Sequence, residues 1–411
     1  MRPLNSSTSS SDPAGSGVPT GDEAGRADGT GGGNDWRDAL IVAAWFLLAL
    51  AGADAAINVL FRRPTDPRAG AGNSLQAYFN YGWSIESKIR RDVRPTDEAG
   101  SPLMTAGWVE REVVRNRVEP GKGGGRPTVS FYGMSFSNDI ARSFERIAPE
   151  YRVRMLAGPA APPNHSFALF EADRDDPSEV VVLGILGSSV VGLGTNNGMT
   201  WRFEGPAPFT YPRYDVAGGA PVAEWPMVRS LDDLRSRLDD PAAWDAYLGQ
   251  LSQTDEFYNA FLFRHNFSDS SALVRMIRRA VAQRWQTSRS DRIHRRDGFV
   301  DSSTALVTLR GIVAEFASEA RRRGKVPAVL LIQDKGYRDH LNLSLAATLE
   351  RDRIPYVSTH ALSPDTDPRN FVADGHFTEE AYGKIASALL EVVRKEMAAV
   401  GKPAPVAPGA N

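Results

Sequence analysis

The sequence predicts a three-layer α/β/α sandwich with a parallel sheet, preceded by one membrane-spanning helix. Three observations carry this reading: a Ser/Gly-rich start, one long apolar run, and beyond residue 127 a regular alternation of short apolar runs with amphipathic stretches. Strands that alternate with helices form a parallel sheet covered on both faces. The 411 residues, 42% hydrophobic and 24% charged, suit one large or two ordinary domains. Lys plus Arg (48) nearly balance Asp plus Glu (50), and the net charge of −2 argues against nucleic acid as the main partner. The absence of cysteine excludes disulfides, thiolate chemistry and cysteine-based zinc or iron–sulfur sites. The six histidines fall in no HxxxH or HExxH spacing, so neither a metal nor a cofactor is expected.

Residues 1–36 carry too few large apolar side chains to offset ordering entropy and read as a disordered tail. Ala39 to Phe61 is then apolar apart from Asp54 and Asn58. About 20 residues of helix cross the hydrocarbon core, so residues 37–61 read as a signal anchor. Two readings compete with it. Ala51-Gly52-Ala53 has the small-x-small form of a signal-peptide cleavage site. A buried core helix would spare Asp54 the cost, about 3 kcal/mol, of lying at the bilayer centre. Arg26 and Arg37 precede the run and Arg62, Arg63 and Arg68 follow it, a count that slightly opposes an N-in orientation. Residues 62–126 continue as an aromatic-rich juxtamembrane helix, Leu75 to Arg91, and a Gly-rich linker at Lys122 to Arg126.

The main domain spans 127–398, and 399–411 reads as a flexible tail. Thr128 to Tyr132 is the first strand, followed by Gly133 and a helix around Ile140 to Ile147. Tyr151 to Leu156 alternates as a second strand and ends at Gly158-Pro159; His165 to Ala172 reads as a helix. Glu179 to Leu186 is a third strand, buried on both faces by its unbroken apolar run. Ser302 to Arg323 is an amphipathic helix with Leu306, Leu309, Val313, Phe316 and Ala320 on one stripe, a serine N-cap and Gly324 past its end. Val326 to Ile332 and Ile354 to Ser358 are the last strands, and Thr378 to Val393 the closing helix. Between the third strand and the Ser302 helix lies an insertion at about 191–300, too long for an ordinary connection. Such an insertion is expected to build or cover a ligand site. Its aromatics from Trp201 to Trp225 suit either core packing or a stacking platform.

Gly133-Met134-Ser135 falls where the first strand hands over to its helix, at the carboxyl end of the sheet, where open α/β sheets bind ligands. A serine there needs a base to become a nucleophile. Asp374-Gly375-His376, just before the last helix, offers one: in an extended segment residues i and i+2 share a side, so Asp374 can orient the His376 ring. Plainer readings exist for each. A GxS after a strand is common, Asp374 suits the dipole of the following helix, and His165 reads as a structural cap or loop residue. His360 is the fallback base.

Strand–GxS–helix near the start, a glycine after the second strand, and Asp and His before the last helix resemble the SGNH/GDSL hydrolase superfamily. The resemblance covers residues 128–395 without the insertion. It implies Ser135, Asp374 and His376 as catalytic residues, with an oxyanion hole from Ser135, Gly158 and Ser189. Ser189, in Gly187-Ser188-Ser189-Val190, occupies the place of the family's third-block asparagine, for which Asn164 or Asn197 are the alternatives. The DxH spacing, in place of DxxH, is similar to the SGNH-like domains of periplasmic alginate O-acetyltransferases. The resemblance implies a serine esterase or O-acyltransferase that acts on acyl, chiefly acetyl, groups of a cell-surface or exported polysaccharide. It further implies a single-pass inner-membrane location with an extracytoplasmic catalytic domain. The expected partners are an acylated glycan or other ester, the membrane itself, and a membrane acyltransferase or polysaccharide export complex. A lipolytic or thioesterase hydrolase and a non-catalytic scaffold are the alternatives.

Overall fold

The structure, a computed structural model, describes residues 35–64, 72–93, 102–117 and 126–402. The Ser/Gly-rich tail up to residue 34, the glycines of the linker and the chain beyond residue 402 lie outside the described residues. Two compact units result, one ending at Ala53 and the other beginning at Asp54. Helix α1 (Asp35–Leu60) is long and apolar enough to cross a membrane. The two polar residues of the run have partners in the second unit. Asp54 accepts from Ser271 Oγ and Leu273 N, both at 2.8 Å, and Asn58 donates to the Ser270 carbonyl at 3.0 Å.

The second unit is built on β1 (Thr128–Gly133), α2 (Ser135–Ile147), β2 (Arg152–Ala157), α3 (Pro163–Ala172) and β3 (Val180–Leu186). After the insertion, whose longest helix is α4 (Ala272–Ser290), come α5 (Thr304–Arg322), β4 (Val326–Ile332), α6 (His340–Arg351), β5 (Tyr356–Ser358) and α7 (Glu379–Ala399). The five strands are parallel in the order β2-β1-β3-β4-β5. Helices α2 and α7 pack together on one side, α3, α5 and α6 on the other, giving the three layers. The chain runs outward from β1 to β2 and then returns to β3, so the switch point of the sheet lies between β1 and β3, beside the start of α2.

Local chemistry explains the elements. Strands β1, β3 and β4 are buried along their whole length; β3 and β4 are unbroken apolar runs, and in β1 the buried Ser130 hydroxyl bonds Asp176. Ser303 Oγ caps α5 on the Leu306 amide, and the predicted apolar stripe of that helix is buried. Two expectations need correction. The juxtamembrane segment is two helices, Ser74–Tyr81 and Ile85–Asp92, because Gly82 lies against the Arg275 backbone and Ser84 starts a new cap on Ser87. Helix α6 was not expected; Leu341, Leu345 and Leu349 at four-residue spacing form its short buried stripe.

The start of α2 is pinned by a close approach. A Cβ on either Gly133 or Gly184 would run into the buried Ser137 side chain. On Gly133 it would also meet Ser137 Cβ at 2.5 Å, whereas on Gly184 that distance is 3.1 Å. Gly184→Ala therefore lowers stability by about 1–3 kcal/mol, and adding Ser137→Ala, which removes only the hydroxyl, restores most of it. Gly133→Ala has no such rescue, because the colliding Cβ remains. Urea unfolding of the four variants checks the pattern.

A buried carboxylate joins the Ile85–Asp92 helix to the insertion. Asp269 accepts from Ser84 Oγ and Ser87 Oγ, each at 2.7 Å, and pairs with Arg278. Burial by itself raises its pKa, but the two hydroxyls and the guanidinium more than reverse this, to about 2. A depressed acid contributes stability that is complete above its unfolded value near 4 and is lost as pH falls through about 2. Asp269→Asn accordingly lowers the thermal midpoint at neutral pH, and the gap to the native protein narrows between about pH 4 and pH 2. A gap that stays constant down to pH 2 would contradict the assignment.

Candidate active site

Ser135 is the first residue of α2, with Met134 extended before it as N-cap (φ −133°, ψ −167°). The first intrahelical donor is Asn138 N, bonded to the Met134 carbonyl at 3.0 Å, so the preceding amides open the helix N-terminus beside the serine. Ser135 Oγ lies 2.9 Å from His376 Nε2. The two residues are 241 positions apart in the chain and are brought together by the packing of α2 against α7.

His376 is held by a tight turn rather than an extended segment. Val372 N donates to the His376 carbonyl at 2.8 Å and Gly375 N to the Val372 carbonyl at 3.1 Å. Gly375 has φ +93°, in the left-handed region that glycine supplies without strain. The turn, not a strand, places Asp374 beside the ring. Asp374 Oδ1 accepts the His376 backbone N–H at 3.1 Å and lies 3.2 Å from Nδ1. That second contact has the distance of a hydrogen bond without its alignment, since Nδ1 has no aligned partner. The Asp374 side chain is 70% exposed, against 29% for His376. Its carboxyl is held below the ordinary value, first by the His376 backbone amide and then by the ring.

Phe136 completes the arrangement. Its ring stacks on that of His376 at 4.4 Å and 19°, and meets Phe377 edge-on at 5.5 Å. Sequence reasoning had no signal for this role; an aromatic residue at the second position of a helix reads as ordinary core.

The expected oxyanion donors fare differently. Gly158 N–H donates to the Gly133 carbonyl at 3.3 Å, continuing the β1–β2 ladder. A Cβ there would meet the His165 ring at 2.8 Å, which accounts for the glycine. Ser189 Oγ is buried and donates to the Leu186 carbonyl at 2.8 Å. The alternatives are engaged as well: Asn164 Nδ2 donates to the Thr195 and Pro212 carbonyls, and Asn197 Nδ2 to Asp255 and Asn196. His165 is fully buried on the Gly107 carbonyl, and burial, only partly opposed by that bond, lowers its pKa to about 4. His360 lines a different cavity, with Ser358 and Tyr356.

Ser135 opens on a cavity of about 500 Å³ whose walls include Asn138, Arg142, Arg115, Asn116 and Gly158. Its outer wall comes from residues 106–116, ahead of β1, and none of it from the insertion. In the aromatic stretch of the insertion, Phe203, Phe209, Tyr211 and Tyr214 are all buried and belong to the core. Asn138 stands one helical turn beyond Ser135, on the same face, and its i+3 spacing was the signal available for it. Among the described residues no group of three His, Asp or Glu side chains is placed to hold a metal ion.

No family model matches the chain, and no curated protein matches it. Among solved structures, a GDSL-like lipase from Bacteroides thetaiotaomicron aligns with 70% of this chain and 98% of its own, at 12% identity and TM-score 0.34. A protein provisionally named an acylhydrolase, from Bacteroides fragilis, aligns with 70% and 97%, at 12% identity and TM-score 0.33. Similarity this low carries no argument about activity, which rests on the geometry.

A hydroxyl hydrogen-bonded to an imidazole beside a helix N-terminus is the geometry that a nucleophile and its base require. A fluorophosphonate probe should label Ser135, and Ser135→Ala or His376→Ala should abolish labelling. Ser137→Ala should keep it, because Ser137 faces Gly133 and Gly184 rather than the cavity. Mass spectrometry of the labelled peptide checks the site.

Proposed function

We propose that the protein is a serine esterase or O-acyltransferase of SGNH type that adds or removes acyl groups, chiefly acetyl, on a cell-surface or exported polysaccharide. The observation that carries this reading is the 2.9 Å contact between Ser135 Oγ and His376 Nε2 at the switch point of the sheet. In the reaction, Ser135 Oγ attacks the ester carbonyl while its proton passes to His376 Nε2. The negative oxygen forms beside the N-terminus of α2, where the Ser135 amide and the helix dipole favour it. As the ester C–O bond breaks, Nε2 returns its proton to the leaving alcohol and Ser135 holds the acyl group. A water or a sugar hydroxyl then gives its proton to Nε2 and attacks the acyl carbon; as the acyl–Oγ bond breaks, Nε2 returns that proton to Ser135 Oγ, and the acyl group leaves as the acid or as a new ester. Asp374 steadies the ring on its far side, in a partly aqueous position that weakens its contribution relative to a buried acid.

Arg115, Arg142, Asn116 and Asn138 give the cavity walls a polar character suited to sugar hydroxyls, which favours a glycan ester over a long acyl chain. Helix α1 would anchor the enzyme in the cytoplasmic membrane with the sheet-bearing unit outside, beside a membrane acyltransferase or export complex. A second reading, a non-catalytic scaffold, draws on one observation: the Gly158 amide and the Ser189 hydroxyl are both engaged elsewhere.

Turnover of 4-nitrophenyl acetate by the detergent-solubilised full chain separates the two. Ser135→Ala and His376→Ala should each lower kcat by at least about 10³, and the double variant scarcely further. Asp374→Asn should cost less, about 10- to 100-fold, far short of the ~10⁴ of a buried triad acid. Rates should fall from acetate to octanoate esters. Equal turnover by native protein and Ser135→Ala would leave the scaffold. A reporter active only outside the cytoplasm, fused after Asn411, should be active; its silence would overturn the topology.

A further inference from the structure

A second cavity, of about 410 Å³, is lined by Arg62, Arg63, Arg91 and Arg275 together with Asn58 and Trp83. Gathering guanidinium groups round one space is unfavourable unless an anion answers them. Among the described residues, Asp54 is hydrogen-bonded to Ser271 and Leu273, Asp269 to Ser84 and Ser87 with Arg278 as its ion-pair partner, and Asp92 is paired with Arg91. Asp92 Oδ1 lies 3.9 Å from Arg91 Nη1. Nε of Arg63 and Nε of Arg275 are buried without a hydrogen-bond partner. Burial and the charge of Arg91 lower the pKa of Arg63 to about 10, which leaves it cationic at neutral pH.

The guanidinium groups are built into place. Arg275 Nη1 donates to the Asp269 carbonyl and Nη2 to Asn58 Oδ1, both at 2.8 Å. Trp83 lies beside two of them, with Arg275 Cζ 4.5 Å and Arg63 Cζ 5.4 Å from its ring centre. Arg62 and Arg63 follow α1 after a single residue, Phe61, which closes the apolar run. A chain leaving the hydrocarbon core at Leu60 brings these residues to headgroup level, where phosphates, indoles and arginines meet.

We propose that this cavity binds the phosphate group of an anionic phospholipid headgroup. The inference rests on α1 being a membrane anchor. Guanidinium forks match phosphate oxygens in geometry as well as charge, and Trp83 supplies an amphipathic wall at the membrane interface. The site is separate from the cavity of Ser135, with which it shares no lining residue.

The test uses the full chain in dodecylmaltoside micelles, with dioleoylphosphatidylglycerol, dioleoylphosphatidylcholine or inorganic phosphate added. Phosphatidylglycerol should raise the thermal midpoint by at least about 3 °C and phosphatidylcholine should not. The double variant Arg62→Gln/Arg63→Gln should lose more than half of that rise, and the exposed single variant Arg62→Gln part of it. Arg351→Gln, on α6, should keep the whole rise. Equal rises with both lipids, or a full rise in the double variant, would overturn the site. The same arginine-dependent rise with inorganic phosphate alone would overturn the lipid as its source. Intact mass and alkaline carbonate extraction of the same preparations judge the anchor separately: a chain beginning at Asp54, or one washed from the membrane, would remove that premise whatever the lipid response.

Discussion

The close approach of β1, β3 and α2 at Gly133, Gly184 and Ser137 is the constraint on which the site depends. The two missing side chains let the first turn of α2 settle against the sheet, with the Ser137 side chain filling the gap. Ser135, two residues earlier, is thereby presented at the carboxyl edge of β1. A hydroxyl held this way owes its position to packing, and packed interiors do not deform gradually. Helix α7 leans on α2 from the same side of the sheet, so the turn that carries His376 inherits the same reference frame.

The two halves of the site differ in how firmly they are held. The serine stands on buried elements, and the imidazole is clasped by Phe136, itself set against Phe377. Asp374, by contrast, is mostly in water and divides one oxygen between a backbone amide and a ring nitrogen. In a high-dielectric setting such a carboxylate orients more than it stabilises charge. The buried cluster of Arg154 with Asp173, Asp176 and Lys325 provides a contrasting case within the same unit: its charges are paired, dry and fixed, and one of its members forms part of the cavity wall.

Much of the architecture was legible in the sequence because parallel strands buried on both faces leave unbroken apolar runs, and β3 and β4 are such runs. Amphipathic α5 announced itself through its stripe and cap. Helix α6 escaped notice because its stripe is only three leucines long, and the break at Gly82 because its cause, the Arg275 backbone, is far away in sequence. Within the site, Ser135 and His376 could be paired in advance because each sits next to the boundary of a recognisable element. The fates of Gly158 and Ser189 could not: whether a donor is free depends on which carbonyl lies nearest after folding. The insertion misled for a related reason, since length in sequence says nothing about which side of the sheet a segment covers. Phe203, Phe209, Tyr211 and Tyr214 went into the core, and the short stretch 106–116 became the wall.

The turn at Gly375 has a bearing on how the protein ages. Among aspartates, an exposed one followed by glycine is the most prone to close into a succinimide and reopen as isoaspartate, because glycine's nitrogen is unhindered as an attacking group. In the folded protein that nitrogen donates its hydrogen to the Val372 carbonyl at 3.1 Å. The bond that shapes the turn thus also shields it chemically, and the backbone beside His376 stays intact only as long as the turn stays closed.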